Sequence, residues 1–110
     1  MEEVTYQCPI SDNRIEFQLE KETAYCTNNY IDEKYFKAYF LLLRSTIQDL
    51  QDKGYKKMNQ VVSKDEYNQY LKNDNRWTVV KTNQLFETIV IECELESALE
   101  CICKGFGIKL

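Results

Sequence analysis

The chain has no histidine among its 110 residues. Histidine is the commonest general base near neutral pH, the commonest metal ligand and the usual partner of a serine or cysteine nucleophile. Acid–base work by other side chains stays open, but no residue pattern singles one out. We therefore expect no catalytic residue, no metal site and no cofactor, and we expect a binding function in preference to an enzymatic one.

Glycine and proline are also scarce, with three glycines and one proline. Few backbone positions can therefore adopt unusual dihedral angles, and the loops should be short. No glycine-rich phosphate loop of the GxGxxG or Walker type is present. Long apolar runs are missing, since a membrane-spanning helix needs about 18 or more such residues. The acidic N-terminus, Met1-Glu2-Glu3, is unlike a secretory signal, so we predict a cytoplasmic protein.

The cysteines and the charge exclude further classes. The five cysteines are an odd number, and without an export signal they are interpreted as reduced thiols. Cys101 and Cys103 are too isolated for a structural zinc site, which needs four ligands. The net charge of −4 argues against a general nucleic-acid binder, because phosphate neutralisation drives that affinity. The length predicts a single domain over residues 1–110.

The clearest predicted element is a long amphipathic helix after Asn29. Its apolar residues recur with helical spacing, and they are Phe36, Phe40, Leu43, Ile47 and Leu50. We predict that this stripe packs in the core, that Asn29 caps the start, and that Gly54 ends the helix in a left-handed conformation. Tyr55 should then fold back onto Leu50, as is usual at this kind of helix end.

Alternation of apolar and polar residues predicts the strands. They are Val4–Ile10, Arg14–Glu20, Thr23–Thr27, Lys56–Val62, Arg76–Thr82 and Glu87–Leu95. Ser63 and Glu66 have the spacing of a capping box that opens a short helix. The segment Ala98–Lys104 is either a short helix or a strand that continues to the end. The long helix should act as a right-handed crossover, which makes the strands on either side of it parallel.

This order of elements predicts an α/β (α+β) fold. It should contain a single mixed, mostly antiparallel sheet of about five to six strands, with one long and one or two short helices packed on it.

From Leu43 to Leu95 the order of features resembles the C-terminal half of GNAT-type acyltransferases. A long helix ends at Lys53-Gly54-Tyr55, a strand and a short helix follow, and Trp77 begins the next strand before a final hairpin. The resemblance implies the fold of that family and binding of acetyl-CoA. Members of the family hold its pyrophosphate on a glycine-rich turn before the long helix, where backbone amides face the phosphates.

The corresponding turn here is residues 27–32, Thr-Asn-Asn-Tyr-Ile-Asp. It has no glycine and adds the negative charge of Asp32. We therefore expect no close backbone approach to phosphate and a partial version of the family without acyl transfer.

Tyrosine is abundant, with eight residues. Four of them, Tyr35, Tyr39, Tyr67 and Tyr70, lie on two predicted helices that should be close together. Tyrosine suits interfaces because its ring gives contact area at small entropic cost. Our main hypothesis is a non-catalytic protein-interaction or regulatory module, self-associating or bound to a protein partner through these tyrosines, and not to nucleic acid or membrane. The alternative is a minimal or degenerate GNAT-type acyltransferase or acyl-CoA binder.

Overall fold

The structure, a computed structural model, describes residues 2–100, with every side chain in that range except that of Tyr70. The strands are β1 (Glu2–Gln7), β2 (Arg14–Glu20), β3 (Thr23–Tyr30), β4 (Lys57–Ser63), β5 (Trp77–Asn83) and β6 (Thr88–Glu94). A 3-10 turn, Glu33–Tyr35, leads into helix α1 (Phe36–Asp52). Helix α2 (Lys64–Glu66) continues as a π turn, Tyr67–Leu71, and a 3-10 turn, Leu95–Ser97, follows β6.

The six strands form one mixed sheet in the order β1-β2-β3-β4-β6-β5. The pair β3–β4 is parallel, and the other four neighbouring pairs are antiparallel. Helix α1 connects the two parallel strands, as the sequence predicts. The fold class and the parallel crossover are therefore confirmed.

One face of the sheet packs against α1 to make the core. The buried side chains come from the strands (Ile15, Phe17, Leu19, Ala24, Met58, Val62, Ile89, Ile91 and Cys93) and from α1 (Tyr39, Leu43, Ile47 and Leu50). Successive strand residues point to opposite faces. The other face therefore carries polar residues, among them Gln18, Tyr25, Asn59 and Glu92. Asn59 is buried on this polar face.

The predicted start of the long helix is wrong, while Leu43, Ile47 and Leu50 of the predicted stripe are buried as predicted. Asn29 belongs to β3, which stays paired with β2 as far as Tyr30, and α1 begins only at Phe36. Tyr39 then points into the core, and its hydroxyl donates to Asn29 Oδ1 at 2.8 Å. Phe36 is 37% exposed and packs edge-to-face on Phe40 outside the buried cluster. Strand pairing thus overrides the local capping preference of Asn29.

The other predicted helix ends are confirmed. Gly54 has a φ of +94°, and the Tyr55 amide donates to the Leu50 carbonyl at 3.0 Å, which closes the end of α1. Ser63 Oγ accepts from the Glu66 amide at 3.1 Å. Residues 98–100 are helical, and residues 101–104 of the predicted terminal element lie outside the described residues.

Edge strand β1 is attached to α1 by a polar contact. The Tyr6 hydroxyl donates to Asp49 Oδ2 at 2.5 Å, and Lys53 Nζ lies 3.0 Å from the same oxygen. The hydrogen bond from Tyr6 and then the contact with Lys53 hold the pKa of Asp49 below its usual range. A lowered folded pKa means that this contribution is present above the unfolded carboxyl pKa. It is lost as the pH falls through the lowered folded pKa.

We expect Tyr6→Phe to lower the free energy of unfolding at neutral pH and to have progressively less effect in acid, as Asp49 becomes protonated. Urea denaturation of both proteins between about pH 7 and about pH 3 measures this difference. Tyr30→Phe is the control, because this exposed hydroxyl makes no hydrogen bond in the described structure and its ring still covers Arg14. An effect of Tyr6→Phe that does not change with pH would contradict the assignment.

Gly54→Ala should cost about 1 kcal/mol of unfolding free energy, because an L residue is strained at positive φ. No atom lies within 4 Å of the position a Cβ would take, so the cost is conformational and not steric. Thermal or urea denaturation measures it. The matched variant Lys21→Gly should have the opposite sign, because Lys21 adopts a φ of +54°. Equal behaviour of the two variants would show that backbone strain is not the cause.

Candidate ligand-binding site at a fork in the sheet

The central feature is the point where β3 and β4 separate. They pair over three positions, from Thr23↔Lys57 to Tyr25↔Asn59. Beyond that point β3 continues to Tyr30 beside β2, and β4 continues to Ser63 beside β6. Within residues 2–100 no strand pairs with the two edges that face each other there. We call this opening the fork, with its closed end at Tyr25 and Asn59.

The closed end of the fork is fixed by backbone hydrogen bonds. The amides of Lys56 and Lys57 both donate to the Glu22 carbonyl, at 2.8 and 3.1 Å. The Leu95 amide donates to the Lys56 carbonyl at 2.8 Å. The start of β4 is therefore held between the turn before β3 and the end of β6, and the two strands can separate only in the other direction.

A β-bulge explains why β3 leaves β4. Glu16 pairs with Asn28 and Phe17 pairs with Cys26, so Thr27 is an extra residue in β3. Its hydroxyl donates to the Glu16 carbonyl at 3.2 Å. Such a bulge bends its strand and increases the local twist. Because the bulge lies just beyond the last β3–β4 pair, it turns the rest of β3 away from β4.

The unpaired edges determine what the fork can bind. An edge strand presents a row of N–H and C=O groups, and an extended chain with amide groups can pair with them. Two such edges face each other here. The geometry therefore suits an elongated ligand that carries amides, held as a strand would be.

The thiol in this part of β3 is not a nucleophile. Burial raises the pKa of Cys26 to about 12, and its Sγ–H donates to the Asn28 carbonyl at 3.7 Å. A thiol with so high a pKa stays protonated at neutral pH, and the thiolate is the reactive form.

The turn before α1 has little capacity left for an anion. The Asp32 amide donates to Asn13 Oδ1 at 2.6 Å, and the Lys34 amide donates to the Asp32 carboxylate at 3.1 Å. The Tyr35 amide donates to the Asp32 carbonyl at 2.9 Å. A phosphate would have to displace these acceptors and approach a carboxylate. That no tight phosphate approach occurs here stays a prediction.

Asn13 holds this turn in place, and sequence reasoning missed it. Its side chain is fully buried, and its Nδ2 donates to Ser11 Oγ at 2.7 Å and to the Tyr35 carbonyl at 3.0 Å. In the sequence it is simply one residue of the turn Ser11-Asp12-Asn13. Nothing local indicates that it bonds to a segment some 20 residues away, as it does to Asp32 and Tyr35.

The structure places the four predicted interface tyrosines in different surroundings. Tyr35 is 44% exposed, whereas Tyr39 is fully buried. Tyr67 is half-buried against the core, and the side chain of Tyr70 lies outside the described residues. Tyr39 is therefore a core residue with no exposed area to offer a partner. A contact role for Tyr35, Tyr67 and Tyr70 stays a prediction.

The described part of the chain, residues 2–100, offers neither a metal site nor a membrane-spanning helix. No three cysteine or acidic side chains in this range are close enough to hold a metal ion. Within the described residues Cys8, Cys26 and Cys93 form no disulfide, while Cys101 and Cys103 lie outside the described residues. Over the same range no helix is both long and apolar enough to cross a bilayer.

An apolar groove lies between the β1–β2 connection and α1. It has a volume of about 280 Å³ and is lined by Cys8, Pro9, Ile10, Ala38, Leu41, Leu42 and Ser45. Ile10 and Leu41 at its rim are 74% and 64% exposed. Exposed apolar surface of this kind can mark a contact site for another protein.

Comparison with solved structures identifies the architecture. The PaiA N-acetyltransferase from Thermoplasma acidophilum, in complex with coenzyme A, is similar with a TM-score of 0.56 and 20% sequence identity. The fold is GNAT-like. The likeness covers 74% of this chain and 52% of that protein, so this chain spans about half its length. At this identity the likeness shows the fold alone, and it confirms the resemblance found in the sequence. No protein-family model and no curated protein matches the chain.

Asn13→Ala should lower the free energy of unfolding by about 1–3 kcal/mol, because it leaves the Asp32 amide and the Tyr35 carbonyl without their partner. Urea denaturation measures the change. Asn28→Ala is the control, because the side chain of Asn28 in β3 is exposed. This substitution should change the free energy of unfolding by less than about 0.5 kcal/mol. Equal effects of the two alanines would refute the role given to Asn13.

Proposed function

We propose that this GNAT-like chain binds acyl-CoA and holds the pantetheine arm in the fork between β3 and β4. The observation that carries the proposal is the pair of facing, unpaired strand edges beyond Tyr25 and Asn59. The coenzyme A in the PaiA complex supports the same ligand class for this fold. The proposal is for binding, and no residue is assigned to acyl transfer.

The chemistry of the pantetheine arm matches the fork. The arm is a narrow chain with amide groups along it and a thiol or thioester at its end. Its amides can form strand-like hydrogen bonds with unpaired backbone groups. Cys26, protonated at neutral pH, would not attack a thioester there.

The pyrophosphate should contribute less than the arm. In the turn before α1, the amides of Asp32 and Lys34 already have acceptors, and the Asp32 carboxylate adds repulsion. We infer that the affinity comes mainly from the arm. The nucleotide end of coenzyme A would then lie against the surface without a backbone cradle.

Calorimetric titration tests whether the pantetheine arm contributes most of the binding free energy. Acetyl-CoA and acetyl-pantetheine should bind with dissociation constants within about threefold of each other, a difference below 1 kcal/mol. Binding of acetyl-CoA that is stronger by two orders of magnitude would show that the pyrophosphate is held after all. No heat and no thermal shift with either ligand at millimolar concentration would refute the proposed function.

Two substitutions at Asp32 distinguish the repulsion caused by its negative charge from the occupation of the Lys34 amide by its side chain. Asp32→Asn removes the repulsion but keeps a side-chain oxygen for the Lys34 amide, whereas Asp32→Ala also frees that amide. We expect the affinity for acetyl-CoA to rise in the order wild type, Asn, Ala, by about tenfold in all. The affinity for acetyl-pantetheine should stay constant in the same titrations. A parallel rise for both ligands would mean that Asp32 acts on the fold and not on the phosphates.

Self-association is a second candidate function, and the apolar groove between the β1–β2 connection and α1 favours it. Ile10 and Leu41 expose large apolar side chains there, and Tyr35 is exposed at the start of the same helix. A second copy of the chain could bury this surface.

Light scattering of the purified chain tests self-association. If the groove is the contact, Leu41→Glu should convert the assembly to monomers, because it places a charge in an apolar interface. Gln51→Glu, an exposed position on the same helix, makes the same change in charge and should leave the assembly intact. A wild-type monomer at all accessible concentrations would refute this candidate.

A further inference from the structure

The strongest unexplained feature is the side chain of Asn59. It is 7% exposed, and its Oδ1 is buried and has no hydrogen-bond partner among the described residues. Buried polar atoms are nearly always hydrogen-bonded, so an exception needs an explanation. A buried acceptor without a partner in the protein can bond to a water molecule or to a ligand.

Asn59 lies at the closed end of the fork. It pairs with Tyr25 in the last position where β3 and β4 run together, and with Glu92 on its other side. Neither neighbour donates a hydrogen bond to it in the described structure. Glu92, a carboxylate, lies 3.9 Å from the Lys57 ammonium and offers an acceptor, not a donor.

Two other buried side-chain atoms also lack a hydrogen bond, and their positions differ. Arg14 Nε lies 3.3 Å from the Glu16 carboxylate, so an ion pair compensates it. Thr46 Oγ1 lies on the core side of α1, within closely packed structure. Of the three, Asn59 is the one beside an opening in the sheet.

We propose that Asn59 Oδ1 accepts a hydrogen bond from an amide N–H of the bound ligand, and so makes the site selective for acyl thioesters whose arm carries an amide. This inference rests on the proposed function, because it concerns a ligand in the same fork. It goes further by naming the side chain that reads the ligand and the group that is read. Backbone edges alone would accept any extended amide chain, whereas one buried acceptor fixes where an N–H must lie.

Replacement of Asn59 by leucine separates recognition from structure. Leucine has a similar volume and no acceptor, so Asn59→Leu should lower the affinity for acetyl-pantetheine by about tenfold or more. The same change removes an unsatisfied buried atom, so the unfolding midpoint in urea should stay equal or rise. A purely structural asparagine would instead lose stability. Thr46→Val is the matched control, since it removes another unsatisfied buried oxygen and should leave the affinity unchanged.

Removal of an amide N–H from the ligand tests the same hydrogen bond from the other side. Acetyl-pantetheine methylated at one amide nitrogen lacks that N–H, and one of the two methylated isomers should bind the wild type about tenfold more weakly. Asn59→Leu should bind that isomer and the parent ligand equally. If the leucine variant does not fold, Asn59→Ala allows the same comparison.

The outcomes distinguish the two levels of the proposal. A wild type that binds acetyl-pantetheine, but does not discriminate either methylated isomer and keeps its affinity in Asn59→Leu, overturns the role of Asn59 and leaves the proposed function intact. A wild type that binds neither acetyl-pantetheine nor acetyl-CoA overturns both. Loss of discrimination in Asn59→Leu with stability maintained supports the inference.

Discussion

The short parallel contact between β3 and β4 is the constraint on which the rest of the molecule depends. It joins two antiparallel halves, β1-β2-β3 and β4-β6-β5, and it extends over three residue pairs. So little pairing cannot hold the halves by itself. Helix α1 holds the two halves together by apolar burial, because its buried residues pack with strand residues from both halves in one cluster. The end of α1 at Gly54 and the bonds from Lys56 and Lys57 to Glu22 then bring β4 back beside β3.

The same constraint creates the candidate site. The bulge at Thr27 bends β3 away from β4, so each strand continues with one edge unpaired. Unpaired backbone groups inside a sheet are costly unless water or a ligand satisfies them. A ligand bound in the fork can therefore form the backbone hydrogen bonds that β3 and β4 do not make with each other. Asn59, at the closed end of the fork, adds one buried side-chain acceptor without a partner in the described structure.

The sequence predicts those parts of the structure that local patterns determine. The alternation in β2 and β6 and the glycine end of α1 are visible in a single stretch of chain, and so is the serine cap at Ser63. The start of α1 is not, because the pairing of Asn29 and Tyr30 with β2 extends β3 through a residue that locally favours a helix cap. Tyr39 lies in the core together with Leu43, Ile47 and Leu50. The fork and the roles of Asn13 and Asn59 arise from contacts between segments that are distant in the sequence. No local pattern of residue types predicts such contacts.

The absence of histidine and the occupied turn before α1 are consistent with one another. Acyl transfer needs a group that moves a proton, and holding a phosphate needs free amides. In this chain the amides of Asp32 and Lys34 bond to the protein's own oxygens, and Cys26 remains protonated at neutral pH. The proposed binding through the pantetheine arm needs no free amide in this turn. It requires two unpaired strand edges held at a fixed separation, and the bonds to Glu22 fix that separation at one end while the bulge opens it at the other. The fold thus combines an open fork between β3 and β4 with a turn whose Asp32 and Lys34 amides bond to the protein's own oxygens.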